Sequence, residues 1–170
     1  MTTMRPLTAA ERIERANINR FIRFVREQTG NEDIRRYAPL YDFSVRYPEK
    51  FWKLVWEFCG IRATGDLDPV LVDGDRMPGA KWFPNVRLNF AQNLLRFKDD
   101  RPALIARNEW GHKREYSYAE LHEEVGKLSH ALRAAGVGTG DRVAGFMPNI
   151  PETVIAMLAT ASLGATWSSC

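Results

Sequence analysis

The stretch RVAGFMPNIPETVIAMLATASLGATWSSC, Arg142 to Cys170, decides the fold class. Arg142–Met147 predicts a strand, which Pro148 breaks. Pro151 then stands at a first helical position, where its missing N–H leaves no bond unmade. Pro151–Leu163 is mostly apolar, so the helix it predicts must pack on a sheet. Gly164 closes the helix, and from Ala165 the chain reads as a strand again. Strand, helix and strand in this order form a β-α-β unit with parallel strands and a right-handed crossover. A parallel sheet needs cover on both faces, and two strands do not complete a doubly wound domain. The expectation is an α/β fold, incomplete at Cys170, in the front part of a longer polypeptide.

Upstream, Ala103–Ala106 and Lys113–Tyr116 predict two strands joined by a turn over Asn108 to Gly111. Ser117 and Glu120 form a Ser-x-x-Glu capping box. Leu121, Val125, Leu128 and Leu132 then repeat at helical spacing up to Gly136. The composition shifts at about Phe97. Before it, residues 60–88 are rich in Gly, Pro and Asp and predict an irregular connection with one short strand, Val70–Val72. Asp73-Gly74-Asp75 lacks the later ligands of a calcium loop and reads as a turn.

Two helices are expected nearer the N-terminus. Residues 8–29 open on a Thr8/Glu11 capping box and stop at Gly30. Ile13, Ile18, Phe21, Ile22, Phe24 and Val25 lie on one arc, opposite Arg12, Arg15, Arg23 and Arg26. Pro48–Cys59 carries Phe51, Trp52, Leu54, Val55, Trp56 and Phe58, apolar nearly all round, and is expected to be buried. Cys59 is expected to be a small buried hydrophobe within it.

Of 170 residues, 45% are apolar and 26% charged, with 24 basic against 21 acidic. That composition excludes a disordered tail, a collagen and a disulfide scaffold. A net charge of +3 is too mild to imply nucleic acid. No stretch approaches 18 uncharged apolar residues, so no membrane span is expected. With no apolar leader and only Cys59 and Cys170, the expected compartment is the reducing cytoplasm.

The chemistry-bearing residues form few constellations. Gly136-Val137-Gly138-Thr139-Gly140 precedes a strand, whereas a phosphate loop follows one. His122 and His130 stand about 80° apart on their helix by the 100° step of an α-helix. His112 lies in the expected hairpin, and all three histidines read as surface or packing residues. Cys170 has no base near it in sequence. Ser168 and Ser169 end a strand, the position at which open α/β sheets bind ligands. The residues therefore suggest a ligand edge but assign no catalytic, cofactor-binding or metal residue.

A family pattern adds to this reading. Tyr41-Asp42-Phe43-Ser44-Val45 and Pro48-Glu49-Lys50-Phe51-Trp52 resemble the opening segment of the acetyl-CoA synthetase group. So do Met77-Pro78-Gly79-Ala80-Lys81-Trp82-Phe83 and Leu88-Asn89-Phe90-Ala91-Gln92-Asn93-Leu94-Leu95. Tyr116-Ser117-Tyr118-Ala119-Glu120-Leu121 resembles the first core motif of adenylate-forming (AMP-binding) enzymes, and Leu158–Ala165 their second. Gly140-Asp141-Arg142-Val143 and Met147–Glu152 fit the same pattern. The ending Ala165-Thr166-Trp167-Ser168-Ser169-Cys170 is similar to the branch of acetoacetate–CoA ligases, from which Gln92 departs by standing for Glu.

The resemblance implies a division into a helical extension (1–39), an acetyl-CoA-synthetase-like segment (40–96) and the start of an AMP-binding domain (97–170). It implies helices and an extended arm wrapping a main domain. It also implies acetoacetate, ATP and CoA as substrates, with Mg²⁺, joined through an acyl-adenylate, the remainder of the same polypeptide being the partner. The family's phosphate loop, ribose aspartate and catalytic lysine have no counterpart in residues 1–170. This segment alone is therefore expected to bind no cofactor and to be inactive. The alternatives are a non-catalytic or partner-binding fragment, and a ligase for another short acid such as acetate. A membrane-surface or nucleic-acid binder using the basic face of residues 8–29 is the remaining one.

Overall fold

The computed structural model describes residues 7–169. They divide into two compact units, one of Met1–Ile61 with Gly65–Val86 and one of Arg62–Thr64 with Arg87–Cys170.

Four helices open the first unit: α1 (Ala9–Arg15), α2 (Asn17–Thr29), α3 (Tyr37–Arg46) and α4 (Pro48–Cys59). Thr8 Oγ1 accepts from the Glu11 amide and Glu11 accepts from the Thr8 amide, closing the expected capping box. The single helix expected over 8–29 is broken at Ala16, whose backbone is extended at φ −60° and ψ 139°. The side-chain amide of Asn19 donates to the Ile13 carbonyl at 2.6 Å. It takes the place of the next helical amide, in the way asparagine competes with helix. The break also takes Ile13 out of the buried arc, leaving it 67% exposed. Gly30 ends α2 in the left-handed region, as its lack of a Cβ allows.

Phe21, Ile22 and Val25 of α2 join Ile34, Leu40, Phe43 and Leu54 in one core. Phe21 meets Phe58 at 5.1 Å and Phe51 at 5.7 Å between ring centres. The helix α4 has the expected bounds, but of its side chains only Leu54 is fully buried; Trp52 is 45% exposed and Cys59 is exposed. Cys59 occupies the last residue of the helix, turned from the core that Leu54 enters. The expectation of a helix buried on all sides therefore fails.

Beyond α4 come four two-residue strands: β1 (Thr64–Gly65), β2 (Leu71–Val72), β3 (Lys81–Trp82) and β4 (Val86–Arg87). The strands β2 and β3 pair antiparallel, Leu71 opposite Trp82. Val70, expected in a strand, is instead buried just before β2, its carbonyl accepting from the Phe83 amide at 2.8 Å. Trp82 meets Trp52 edge-on at 5.9 Å and Phe83 meets Trp56 at 4.8 Å. The 77–83 motif thus anchors its loop through aromatic contacts with α4.

The second unit contains α5 (Phe90–Leu94), β5 (Pro102–Arg107), β6 (Lys113–Ser117), α6 (Tyr118–Ala134), β7 (Arg142–Gly145), α7 (Pro151–Ser162) and β8 (Thr166–Ser169). The strands β5 and β6 form the expected antiparallel hairpin, and β7 and β8 pair parallel in the register Arg142↔Thr166 to Gly145↔Ser169. Ala91, Leu121, Val125, Ile155, Leu158 and Ala159 form the core between α5, α6 and α7. The family-like run Leu158–Ala165 thus has a packing reason: Leu158, Ala159 and Thr160 are fully buried on α7. Among the described residues no helix is long and apolar enough to cross a membrane.

Candidate functional site

The site begins where β7 and β8 end together. Ser168 lies opposite Ala144 and Ser169 opposite Gly145. Both serines are exposed at the carboxyl ends of parallel strands, where the sequence led us to expect a ligand edge. Gly145 is buried because the Trp167 ring lies over it. A Cβ there would stand 2.8 Å from Trp167 Cζ2. Glycine at 145 and tryptophan at 167 are therefore one packing decision.

Past Gly145 the chain turns outward through Phe146, 92% exposed, to Met147, Pro148 and Asn149. Thr153 holds this turn by donating its hydroxyl to the Pro148 carbonyl at 2.7 Å, and the Ile150 amide donates to the same carbonyl at 2.9 Å. The edge thus presents two hydroxyls, one aromatic ring and a tied loop. Such an edge can position a ligand by contact and hydrogen bonding. Among the described residues it contains no general base.

The first turn of α7 is already occupied by a carboxylate. Glu152 accepts from Arg114 Nη1 at 2.5 Å, and Arg114 also donates to the Tyr116 hydroxyl. The hydrogen bond from Arg114 holds the Glu152 carboxyl below its ordinary range.

The glycine run 136–140 is a turn, as its order in the chain implies. The Gly138 amide donates to Asp141 Oδ2 at 2.8 Å, the Gly140 amide to the Gly164 carbonyl at 3.2 Å, and Thr139 Oγ1 to the Leu163 carbonyl at 3.2 Å. Four of its five amides and the Thr139 hydroxyl are bonded to the chain itself.

At α6 the second capping box closes. The Ser117 amide and hydroxyl donate to Glu120 Oε2 at 2.8 and 3.0 Å, and the Glu120 amide donates back to Ser117 Oγ at 3.2 Å. The backbone N–H of Ser117, then its hydroxyl, hold the Glu120 carboxyl below its ordinary range. Arg101 pairs with Asp99 through two bonds of 2.8 Å, lowering that carboxyl as well.

The run 88–95 owes its two asparagines to backbone clamping. Asn89 caps α5, accepting from the Gln92 amide at 3.0 Å. Its side-chain amide donates to the carbonyls of Ala161 and Ser162 at the end of α7, at 2.9 and 3.3 Å. Asn93 accepts from the Arg62 amide at 2.8 Å and donates to the Arg62 carbonyl at 2.9 Å. The pair at i and i+4 was visible in the sequence, but its partners were not.

The three histidines do not converge. His122 is half-buried, while His112 and His130 are exposed. Among the described residues no three of His, Cys, Asp and Glu gather as metal ligands. Cys170 lies outside the described residues.

The family model described as AMP-binding enzyme matches residues 90–170. The one described as acetyl-coenzyme A synthetase N-terminus matches residues 37–94. An acetoacetyl-coenzyme A synthetase of Rhizobium meliloti (strain 1021) is 45% identical over 172 residues, covering 100% of this chain and 26% of its own. A malonamoyl-CoA synthetase of Penicillium aethiopicum is 36% identical over 156 residues, covering 88% of this chain and 21% of its own. The solved acetoacetyl-CoA synthetase from Streptomyces lividans matches with a TM-score of 0.86 and 42% identity, over 95% of this chain and 25% of its own. The chain spans about a quarter of the length of these relatives.

Proposed function

We propose that the chain, which matches the AMP-binding enzyme model over residues 90–170 and the acetyl-coenzyme A synthetase N-terminus model over residues 37–94, is the N-terminal part of an ATP-dependent acetoacetate–CoA ligase. The observation that carries this reading is the 45% identity to an acetoacetyl-coenzyme A synthetase along the whole chain. In this reading residues 1–39 are a helical extension, 40–96 the acetyl-CoA-synthetase-like segment, and 97–170 the beginning of the AMP-binding domain.

The reaction proceeds in two displacements. An acetoacetate oxygen attacks the α-phosphorus of ATP, forming the acyl-adenylate and releasing pyrophosphate. The CoA sulfur then attacks the acyl carbonyl, forming the thioester and releasing AMP. Mg²⁺ bound elsewhere in the polypeptide would offset the charge of the triphosphate. Residues 1–170 supply scaffold for this chemistry and no catalytic group. The segment by itself holds no complete site for ATP, CoA or Mg²⁺ and has no ligase activity. The partners are these small molecules and the rest of the same polypeptide, in the cytoplasm, with no nucleic acid.

The malonamoyl-CoA relative favours a wider second reading of the substrate. Malonamate and acetoacetate are both short acids with a carbonyl at C3, so the class is short 3-carbonyl acids rather than acetate. The test is AMP release by the intact polypeptide with ATP, CoA and each acid in turn. Acetoacetate is expected to give the fastest release. Faster release with acetate, or none with either 3-carbonyl acid, overturns the reading.

A further inference from the structure

The second unit carries a cavity of about 460 Å³ and another of about 280 Å³, which share Arg62, Asn89 and Gln92 in their walls. They adjoin along these shared walls as one exposed groove, with Arg62 and Lys98 lining the larger part beside His122 and Arg62 and Arg87 the smaller. None of the described lining residues is an aspartate or glutamate.

The cations of this groove are unspent. Among the described residues, none of Arg62, Arg87 and Lys98 forms an ion pair or a side-chain hydrogen bond. Elsewhere in the same unit Arg101 is neutralised by Asp99, Arg114 by Glu152, and Lys127 by Glu123 and Glu124, while Arg107, Arg133 and Arg142 form no ion pair among the described residues but line neither cavity together with a second free cation. The side-chain amide of Gln92 and the hydroxyl of Ser129 also line the groove with no partner among the described residues. Gly126 keeps the wall open: nothing lies within 4 Å of where its Cβ would stand.

Like charges lining adjoining cavities repel one another, and a counter-charge with several acceptor oxygens relieves that repulsion. A carboxylate offers two oxygens in one plane and satisfies one guanidinium. Two arginines, a lysine, an amide and a hydroxyl call for more oxygens than that, on two linked groups. We propose that this groove is a binding site for a diphosphate: inorganic pyrophosphate, or the diphosphate of a nucleotide. Arg62 and Arg87 grip its phosphoryl oxygens as planar forks, Lys98 adds a point charge, and Gln92 and Ser129 donate to the remaining oxygens. The assignment does not depend on the ligase reading.

The test reads Lys98 itself in the intact polypeptide. The protein is acetylated with an N-hydroxysuccinimide ester at fixed ionic strength, with rising pyrophosphate in one arm and rising ADP in the other. Lys98 labelling is followed by peptide mass spectrometry. Labelling is expected to fall at least about threefold and to saturate, while Lys50 labels unchanged. The arm that protects at the lower concentration identifies the source of the diphosphate. The variant R62Q/R87Q is expected to raise the half-protection concentration by about tenfold or more, as loss of charge-assisted hydrogen bonds requires. Gly126→Leu, which fills the wall without touching charge, is expected to weaken protection too. Lys98 labelling that stays unchanged in both arms overturns the proposal, and so does protection that survives in both variants. A Lys98 already unreactive before any addition overturns it as well, since another part of the polypeptide then fills the groove.

Discussion

Two glycines of the second unit have opposite expectations. Gly145 lies under the Trp167 ring, so Gly145→Ala forces that ring to shift and is expected to cost about 1–3 kcal/mol. Gly126 sits within α6 with open space around it, so Gly126→Ala is expected to stabilise by about 0.5–1 kcal/mol through backbone entropy alone. Urea denaturation of the two variants checks the sign of each. Asn93 is the third residue of consequence, because its side chain holds both main-chain groups of Arg62. Asn93→Ala leaves that amide and carbonyl unmatched and is expected to cost about 1–3 kcal/mol. A midpoint equal to that of the unmodified chain would show that water replaces the clamp.

At the scale of elements, α6 and α7 carry the second unit. Leu158 is 2% exposed in the middle of α7, so Leu158→Ala is expected to cost about 2–5 kcal/mol. The N-terminus of α6 makes the unit acid-sensitive. Glu120, Asp99 and Glu152 all have carboxyls held below their ordinary range, by Ser117, Arg101 and Arg114 respectively. A depressed carboxyl contributes stability above its unfolded value, and that stability is lost as pH falls through the folded value. Stability is therefore expected to fall as pH drops below about 4.5. Glu120→Gln is expected to flatten that slope, measured as denaturation midpoint against pH.

The elements also separate what the sequence made legible from what it did not. The strand–helix–strand run of 142–169 was readable because Pro148, Pro151 and Gly164 punctuate it, and α6 because its capping box precedes a clean apolar stripe. The helix α3 leaves little helical signal in the sequence: Tyr37, Tyr41 and Phe43 are weak helix formers, and Pro39 sits in its first turn. The break at Ala16 was hidden because Asn19 acts on Ile13, a contact that periodicity does not encode. Of the candidate site, topology gave only the place of Ser168 and Ser169 at the end of a strand, where β8 pairs with β7. The clamp from Asn93 to Arg62 spans 31 residues, and the groove cations come from three separate segments, so neither leaves a local pattern.

At the scale of the whole molecule, each unit has its own core, phenylalanine-rich in the first and aliphatic in the second. Residues 1–170 alone are expected to release no AMP from ATP, acetoacetate and CoA. Measurable release would move catalytic groups into a segment to which we assign none. The kink at Ala16 bears on durability. The helix α1 buries none of its side chains, whereas α2 buries three. Its amides are therefore shielded only by their own weak turns. Deuterium uptake over 9–15 should be complete long before uptake over 21–25 begins. Trypsin should cut after Arg12 or Arg15 while leaving the aromatic core of the first unit closed, so that the protein sheds its front end without losing its shape.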